Sequence, residues 1–210
     1  MFFGHLAHVP SDGVPYPIFA FTALVPWTFF QYGLTQASNA MVQSNVLLTK
    51  IYCPRLIIPI AAVLSGAVDF VLAFVVLIGM MVYYGISPTA NVFFVPLFLV
   101  LTLIASLAAG FWLSALNVRY RDVRYVVPFL IQLWLFATPV AYSASLLHGT
   151  ARTVFGLNPM TGIVEGMRWA LLGTPAPGAM ALVSTGVAIA FFVGGAFFFR
   201  QMERSFADVV

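Results

Sequence analysis

Long apolar runs alternate with short polar joints along the whole 210-residue chain. Five runs, at 18–42, 56–84, 92–116, 125–147 and 180–199, each reach or exceed the roughly 20 residues a helix needs to cross a bilayer. The first is apolar and aromatic toward its start (Phe19, Phe21, Trp27, Phe29, Phe30) and polar in its second half (Gln31, Gln36, Ser38, Asn39). Such a half-helix is tolerable only against protein or a water-filled path. Gly33, Ala37 and Ala40 in this run, and Gly186, Ala190 and Gly194 in the last, form small-residue stripes that let membrane helices approach closely. Pro59 is expected to break the second run near its start, and Pro139 to kink or end the fourth. The opening 17 residues, with Pro10, Pro15 and Pro17, read as a loop or part of an earlier element.

Between the fourth and fifth runs the pattern changes. Asn158 is a good N-cap and Pro159 suits the first helical position. Met160, Ile163, Val164, Met167 and Leu171 then recur at helical spacing, which predicts an amphipathic helix over 160–172, stopped by Gly173 and Pro175. At about 20 Å it falls short of the ~30 Å hydrocarbon core. Since it also carries Glu165 and Arg168, it is expected to lie in the interface or dip in and return.

Composition agrees with a membrane bundle. Charged residues are 7% of the chain and hydrophobic residues 62%, whereas an ordinary soluble domain carries about 25% charge. Arginine costs roughly 2.5–3.5 kcal/mol at the centre of a membrane helix, so Arg119, Arg121 and Arg124 mark a polar loop. If 43–55, 117–124 and the tail share one side, that side holds Lys50, Arg55, Arg119, Arg121, Arg124, Arg200 and Arg204, seven of the nine basic residues. The positive-inside rule makes that side cytoplasmic, with the C-terminus in. The few basic residues report topology and give no nucleic-acid footprint. A single cysteine, Cys53, excludes an internal disulfide and a cysteine metal site. The opening residues do not read as a signal peptide. The only lysine, Lys50, follows Thr49, so no P-loop can form. His5, His8 and His148 are isolated, and no hydrolase or metal constellation exists. Energy must come from a partner or an ion gradient.

Asp69 is the single acid inside a run. It could couple a proton or cation, but with no second group to relay to, a structural acid held between helices is the favoured reading. Most aromatics fill lipid-facing or interfacial surface. Trp134, Tyr142 and Trp169, beside the kinked run and the amphipathic helix, are the candidates for sugar stacking. The arginine cluster with its embedded Asp122 reads either as a topology anchor or as a structured loop, with arginine–carboxylate pairing, docked on another protein. The amphipathic joint at 43–55 invites the same docking.

The stretch NVRYRDVRYVVPFLIQLWLFATPVAY closely resembles the signature of ABC-2 type permeases, in the branch that exports O-antigen, capsule or teichoic-acid chains. Asn117, Val118, Arg121, Asp122, Gln132, Pro139, Val140 and Tyr142 match that signature, and Thr138 replaces its usual serine. Pro26-Trp27, the joint with Asn45, Lys50 and Pro54-Arg55, Leu157-Asn158-Pro159-Met160, Glu165-Gly166-Met167-Arg168, and Glu203 with Phe206-Ala207-Asp208 extend the match along the chain. The resemblance implies an all-α integral membrane bundle forming one transmembrane domain over 1–210. The five spans would be the family's second to sixth, without its N-terminal interface helix and first span. It implies short amphipathic helices at the outer mouth, over 148–179. It further implies a homodimer in the bacterial inner membrane, moving lipid-linked polysaccharide and driven by a separate ABC ATPase that holds the ATP and Mg; the permease itself has no enzyme activity, binds no cofactor and contacts membrane lipids. Asn45, Lys50, Arg55, Asn117, Arg119, Arg121, Asp122 and Arg124 would couple to that ATPase. Gln132, Trp134, Pro139, Tyr142, Asn158, Pro159, Glu165, Arg168 and Trp169 would line or gate the channel. The alternatives are an exporter of drugs or small lipids in the same family, an ion-gradient transporter using Asp69, and a lipid-glycan enzyme, for which Glu165 and Arg168 are the only groups at hand.

Overall fold

The computed structural model describes residues 13–44, 54–120, 122–144 and 154–203, and these are helical with no strand among them. The elements are α1 (Tyr16–Gln43), α2 (Ile57–Leu64), α3 (Ala67–Tyr83), a 3-10 turn (Ala90–Phe94), α4 (Val95–Arg119), α5 (Val123–Phe136), α6 (Pro159–Leu172) and α7 (Ala179–Glu203). The joined runs Ile57–Tyr83, Ala90–Arg119 and Ala179–Glu203 are long and apolar enough to cross a membrane. α1, at 28 residues, has the length as well, about 42 Å of helix, but its second half is polar.

α1 and α4 form the centre. Their seam is the small-residue stripe of the first run: a Cβ on Gly33 would meet Ser106 and Val63 at 3.1–3.2 Å, and Ala37 lies against Gly110. Such seams bring backbones close enough for dispersion to hold helices together in lipid, where the hydrophobic effect between helices is absent. α7 packs on the far side of α4 through a seam other than the expected one. Gly186 faces open space, and the buried residues are Met180, Ser184, Ala188, Gly195 and Phe199. The Trp112 indole decides this register: it stacks on Phe198 at 4.5 Å and donates to the Phe191 carbonyl at 3.2 Å.

Two of the expected spans are interrupted. In the second, Pro59 is the third residue of α2, where its missing N–H had no intrahelical partner to lose. The break falls instead at Ser65–Gly66, between α2 and α3. In the fourth, α5 has 14 residues, about 21 Å, and does not span the core by itself. It ends at Phe136, and Pro139 lies in the turn that follows. The rest of that expected span, 145–147, lies outside the described residues.

Of the two courses expected for α6, lying in the interface or dipping in, it takes the second. Every residue except Trp169 is buried, so its polar positions face protein, not an interface. Its capping follows the pattern: the Asn158 side chain accepts from Met160 N at 3.0 Å, Pro159 follows, and Gly173 ends it at φ +69°, the left-handed conformation glycine adopts freely. The helix begins deep in the bundle. Asn158 bonds Trp134, whose ring meets Phe30 at 5.1 Å, near the midpoint of α1. It then rises toward the end holding Tyr16 and Thr89, where Thr89 donates to Ala170 O at 3.3 Å.

Gly162 sets how closely α6 lies on α7. A Cβ there would fall 2.6 Å from Ser184 Cβ and 3.1 Å from Ala181 Cα. Gly162→Val is therefore expected to lower stability by about 1–3 kcal/mol, the usual cost of overpacking. The heat-aggregation midpoint of purified protein checks this, with Gly79→Ala as control, because nothing lies within 4 Å of that added methyl.

Candidate functional site

The Arg168 side chain is wholly buried and organises one end of the bundle. Five acceptors ring its guanidinium. Nη1 donates to Glu165 Oε1 at 2.9 Å, Pro139 O at 2.7 Å and Tyr142 O at 3.2 Å, Nη2 to Val140 O at 2.6 Å, and Nε to Phe19 O at 3.3 Å. The Phe19 ring lies flat against the cation, 3.6 Å from its centre, a cation–π contact strengthened by the absence of water. Glu165 Oε1 also accepts from Ala144 N at 3.3 Å. The i, i+3 spacing puts both groups on one face of α6, and that face receives the turn 137–144. A buried ion pair is weak as a source of net stability, but a rigid planar fork fixes geometry closely.

Asn158 holds the other end of the same turn. Its amide donates to Ala137 O at 3.0 Å and to Thr138 Oγ1 at 2.9 Å, while Oδ1 accepts from Trp134 Nε1 at 3.0 Å besides capping α6. Thr138 returns its proton to Trp134 O at 2.9 Å. Tyr142 reaches back to Phe136 O at 3.1 Å, and Tyr16 ties α1 to Ala141 O at 3.2 Å. The end of α5, the turn and α6 are thus fastened as one body.

Of the expected gate residues, the structure brings together Trp134, Pro139, Tyr142, Asn158, Pro159, Glu165 and Arg168. It sets two apart: Gln132 is exposed on the outer face of α5, and Trp169 packs on Phe94 at 5.2 Å. Trp134 and Tyr142 are occupied in holding the turn, a role the sequence did not assign them. The reading missed Phe19 and the carbonyls of 137–142. Main-chain acceptors leave no trace in residue type, and Phe19 is one of 21 phenylalanines.

At the opposite end, the buried Asn117 donates to Ser38 O at 2.8 Å, joining α4 to α1, and Arg55, just before α2, donates to Glu203 O at the end of α7 at 2.6 Å. Arg124 lies over the Tyr125 ring at 4.6 Å and bonds its hydroxyl, and Arg119 faces Tyr120. Among the described residues these two arginines turn to tyrosines, not to Asp122 as expected, because an adjacent ring supplies a neutral face at no cost in carboxylate desolvation. Asp122 is exposed at the start of α5, where the helix dipole favours an acid. Asn45, Lys50 and Arg121 lie outside the described residues. Asp69 is exposed in the first turn of α3. An open cleft of about 530 Å³ beside α5, walled by Leu34, Trp112, Leu130, Leu133 and Phe191, is almost entirely apolar. No group of three or more metal-ligating side chains occurs among the described residues.

A family profile described as ABC-2 type transporter matches residues 1–172, taking in the arginine loop, the clasped turn and α6. The chain belongs to that family. It is therefore a membrane transport component. A relative named O-antigen export system permease protein RfbA, from Myxococcus xanthus, is 31% identical over 206 residues, covering 96% of this chain and 79% of its own length. A protein of the same name from Klebsiella pneumoniae is 22% identical over 196 residues, covering 93% of this chain and 76% of its own. As an ABC-2 family member the chain supplies the transmembrane part of a transporter, and the clasp of Arg168, Glu165 and Asn158 lies within the matched region.

Proposed function

We propose that this chain is the permease subunit of an ATP-driven exporter that moves lipid-linked polysaccharide of the O-antigen class across the bacterial inner membrane. The observation that carries the proposal is the 31% identity to an O-antigen export permease along almost the whole chain. In this reading the permease is a homodimer, the C-terminus is cytoplasmic, and ATP is bound and hydrolysed by a separate subunit docked on 43–55 and 117–124.

The geometry supports a route for the motion. A push at Arg119 and Arg124 enters α4 and α5 together, since three residues separate the helices. α5 is short and ends on the turn 137–144, which Arg168 and Asn158 bind to α6. Tilting α5 therefore carries α6 with it, and α6 opens or closes the outer half of the path. The apolar cleft beside α5 has the chemistry for the hydrocarbon chain of the lipid carrier.

The test is co-expression with the ATPase encoded in the same cluster. The parent chain, in the longest form its reading frame allows, is expected to co-purify with the ATPase and raise its hydrolysis. Arg119→Glu with Arg124→Glu should abolish both while leaving the permease in the membrane. No co-purification in any detergent would sink the proposal.

A further inference from the structure

The exposed face of α1 is polar at the depth where the other long helices expose hydrocarbon. At the level of Phe29 and Tyr32 the α2–α3 run presents Leu64, Val68 and Val71, and α7 presents Ile189, Val193 and Phe197, as lipid requires. On α1 the outward residues between 28 and 36 are Thr28 and Gln31, exposed, with Tyr32, Thr35 and Gln36 half-buried. They recur at three- and four-residue spacing, so they form one face, opposite the buried Phe29, Phe30, Leu34 and Ala37. Thr28 and Thr35 give their protons to the helix's own carbonyls, Val25 O at 3.1 Å and Gln31 O at 2.8 Å, which leaves hydroxyl lone pairs facing out. The Gln31 amide has no hydrogen-bond partner among the described residues. Tyr32 covers Gly66 with its ring and shares a hydrogen bond with Ser65 Oγ at 3.2 Å, continuing the polar face onto the α2–α3 break. Asp69 stands exposed one turn beyond.

We infer that this face, Thr28, Gln31, Tyr32, Thr35, Ser65 and Asp69, lines the water-filled path along which glycan passes; the assignment of glycan rests on the export reading above. At bilayer depth the unpartnered Gln31 amide cannot face hydrocarbon without a cost of several kcal/mol, and the threonine oxygens beside it keep acceptor capacity to offer. The chemistry that does meet them is a polyhydroxylated, largely uncharged chain in water. Sugar hydroxyls donate to the threonine oxygens and to Asp69, and accept from the Gln31 amide. These are single, separated contacts, none enclosed on all sides, so a polymer can move from one to the next. Conduction demands that kind of weak, repeated binding.

Single cysteines at Thr28, Gln31, Thr35 and, as lipid-facing control, Val75 are placed in a Cys53→Ser background of the assembled exporter in cells. They are treated with a small membrane-impermeant thiosulfonate and, separately, with a lipid-soluble maleimide. Thr28→Cys, Gln31→Cys and Thr35→Cys should react with the impermeant reagent, and Val75→Cys with the lipid-soluble one alone. Gln31→Leu combined with Thr35→Val should slow export about tenfold with ATPase co-purification intact, the effect of losing one or two ordinary hydrogen bonds from the moving complex. Labelling of the α1 positions only by the lipid-soluble reagent overturns the inference in favour of a lipid face. No labelling by either reagent shows the face covered by protein, and a Gln31→Cys disulfide between copies without impermeant labelling shows a subunit contact; both overturn it. Labelling reads the water path whatever the cargo, whereas glycan export by the parent strain reads the functional assignment, so the two failures are distinguishable.

Discussion

Arg168→Lys is expected to abolish export although it preserves the charge. Lysine offers three donors on one flexible stem, and they cannot serve Phe19 O, Pro139 O, Val140 O, Tyr142 O and Glu165 together. It also lacks the plane that rests on Phe19. Carbonyls left without donors in a buried site each cost about 1–3 kcal/mol. Against a typical total stability of about 5–15 kcal/mol, the variant should be folded but strongly destabilised. A lower heat-aggregation midpoint and loss of surface glycan would register this. Glu165→Gln keeps an oxygen to accept from Arg168 and Ala144 but strips the buried cation of its counter-charge, a loss of about 3–5 kcal/mol, so it too should lower the midpoint. The double change Arg168→Met with Glu165→Met separates stability from function. An apolar pair of similar volume leaves no charge buried, but the carbonyls of Phe19, Pro139, Val140 and Tyr142 still lack donors and the turn is not held. Stability should return only in part, and export not at all. Normal export by Arg168→Lys would end the account of the clasp.

Asn158→Asp is the second large effect. As a helix cap aspartate serves as well as asparagine, so a residue that only capped α6 would tolerate the change. The structure gives the side chain a second task that aspartate cannot perform. The amide donates to Ala137 O and Thr138 Oγ1, and a carboxylate there would face a carbonyl with no proton to offer. Export should fall at least tenfold, equivalent to about 1.4 kcal/mol or more, and the Trp134 emission should shift as its indole bond rearranges. Unchanged export would reduce Asn158 to a cap.

Much of the fold was legible because the signals were local. Asn158-Pro159 and Gly173 mark both ends of α6, and Gly33 with Ala37 marks the α1–α4 seam, since each depends on backbone geometry or on absence of bulk at that position. Signals that depend on a distant partner were not legible. The amphipathic pattern of 160–172 implied a helix with one polar side, but periodicity does not distinguish a polar side in water from one closed over an ion pair. The Gly186–Gly194 stripe has the right spacing, yet Trp112 on α4 fixed α7 in another register. The fourth apolar run is continuous in composition, and only the hydrogen bonds from Asn158 and Arg168 explain why the chain leaves the helix at Ala137. The polar half of α1 was visible as a list of residues. That Gln31 and Thr28 point outward while the stripe of Gly33 and Ala37 points inward became clear only with its neighbours in place.

Most of what Arg168 grips is main chain. Four of its acceptors are carbonyl oxygens, three of them in the turn 137–144. A hold of that kind is indifferent to which side chains the turn carries, provided the path of the backbone is kept. Ala141, exposed within the turn, can therefore change in size or polarity while the hinge keeps its shape. Lineages exporting chemically different glycans could remodel the surface of this turn by point substitution, one residue at a time, without first reinventing the joint that moves it.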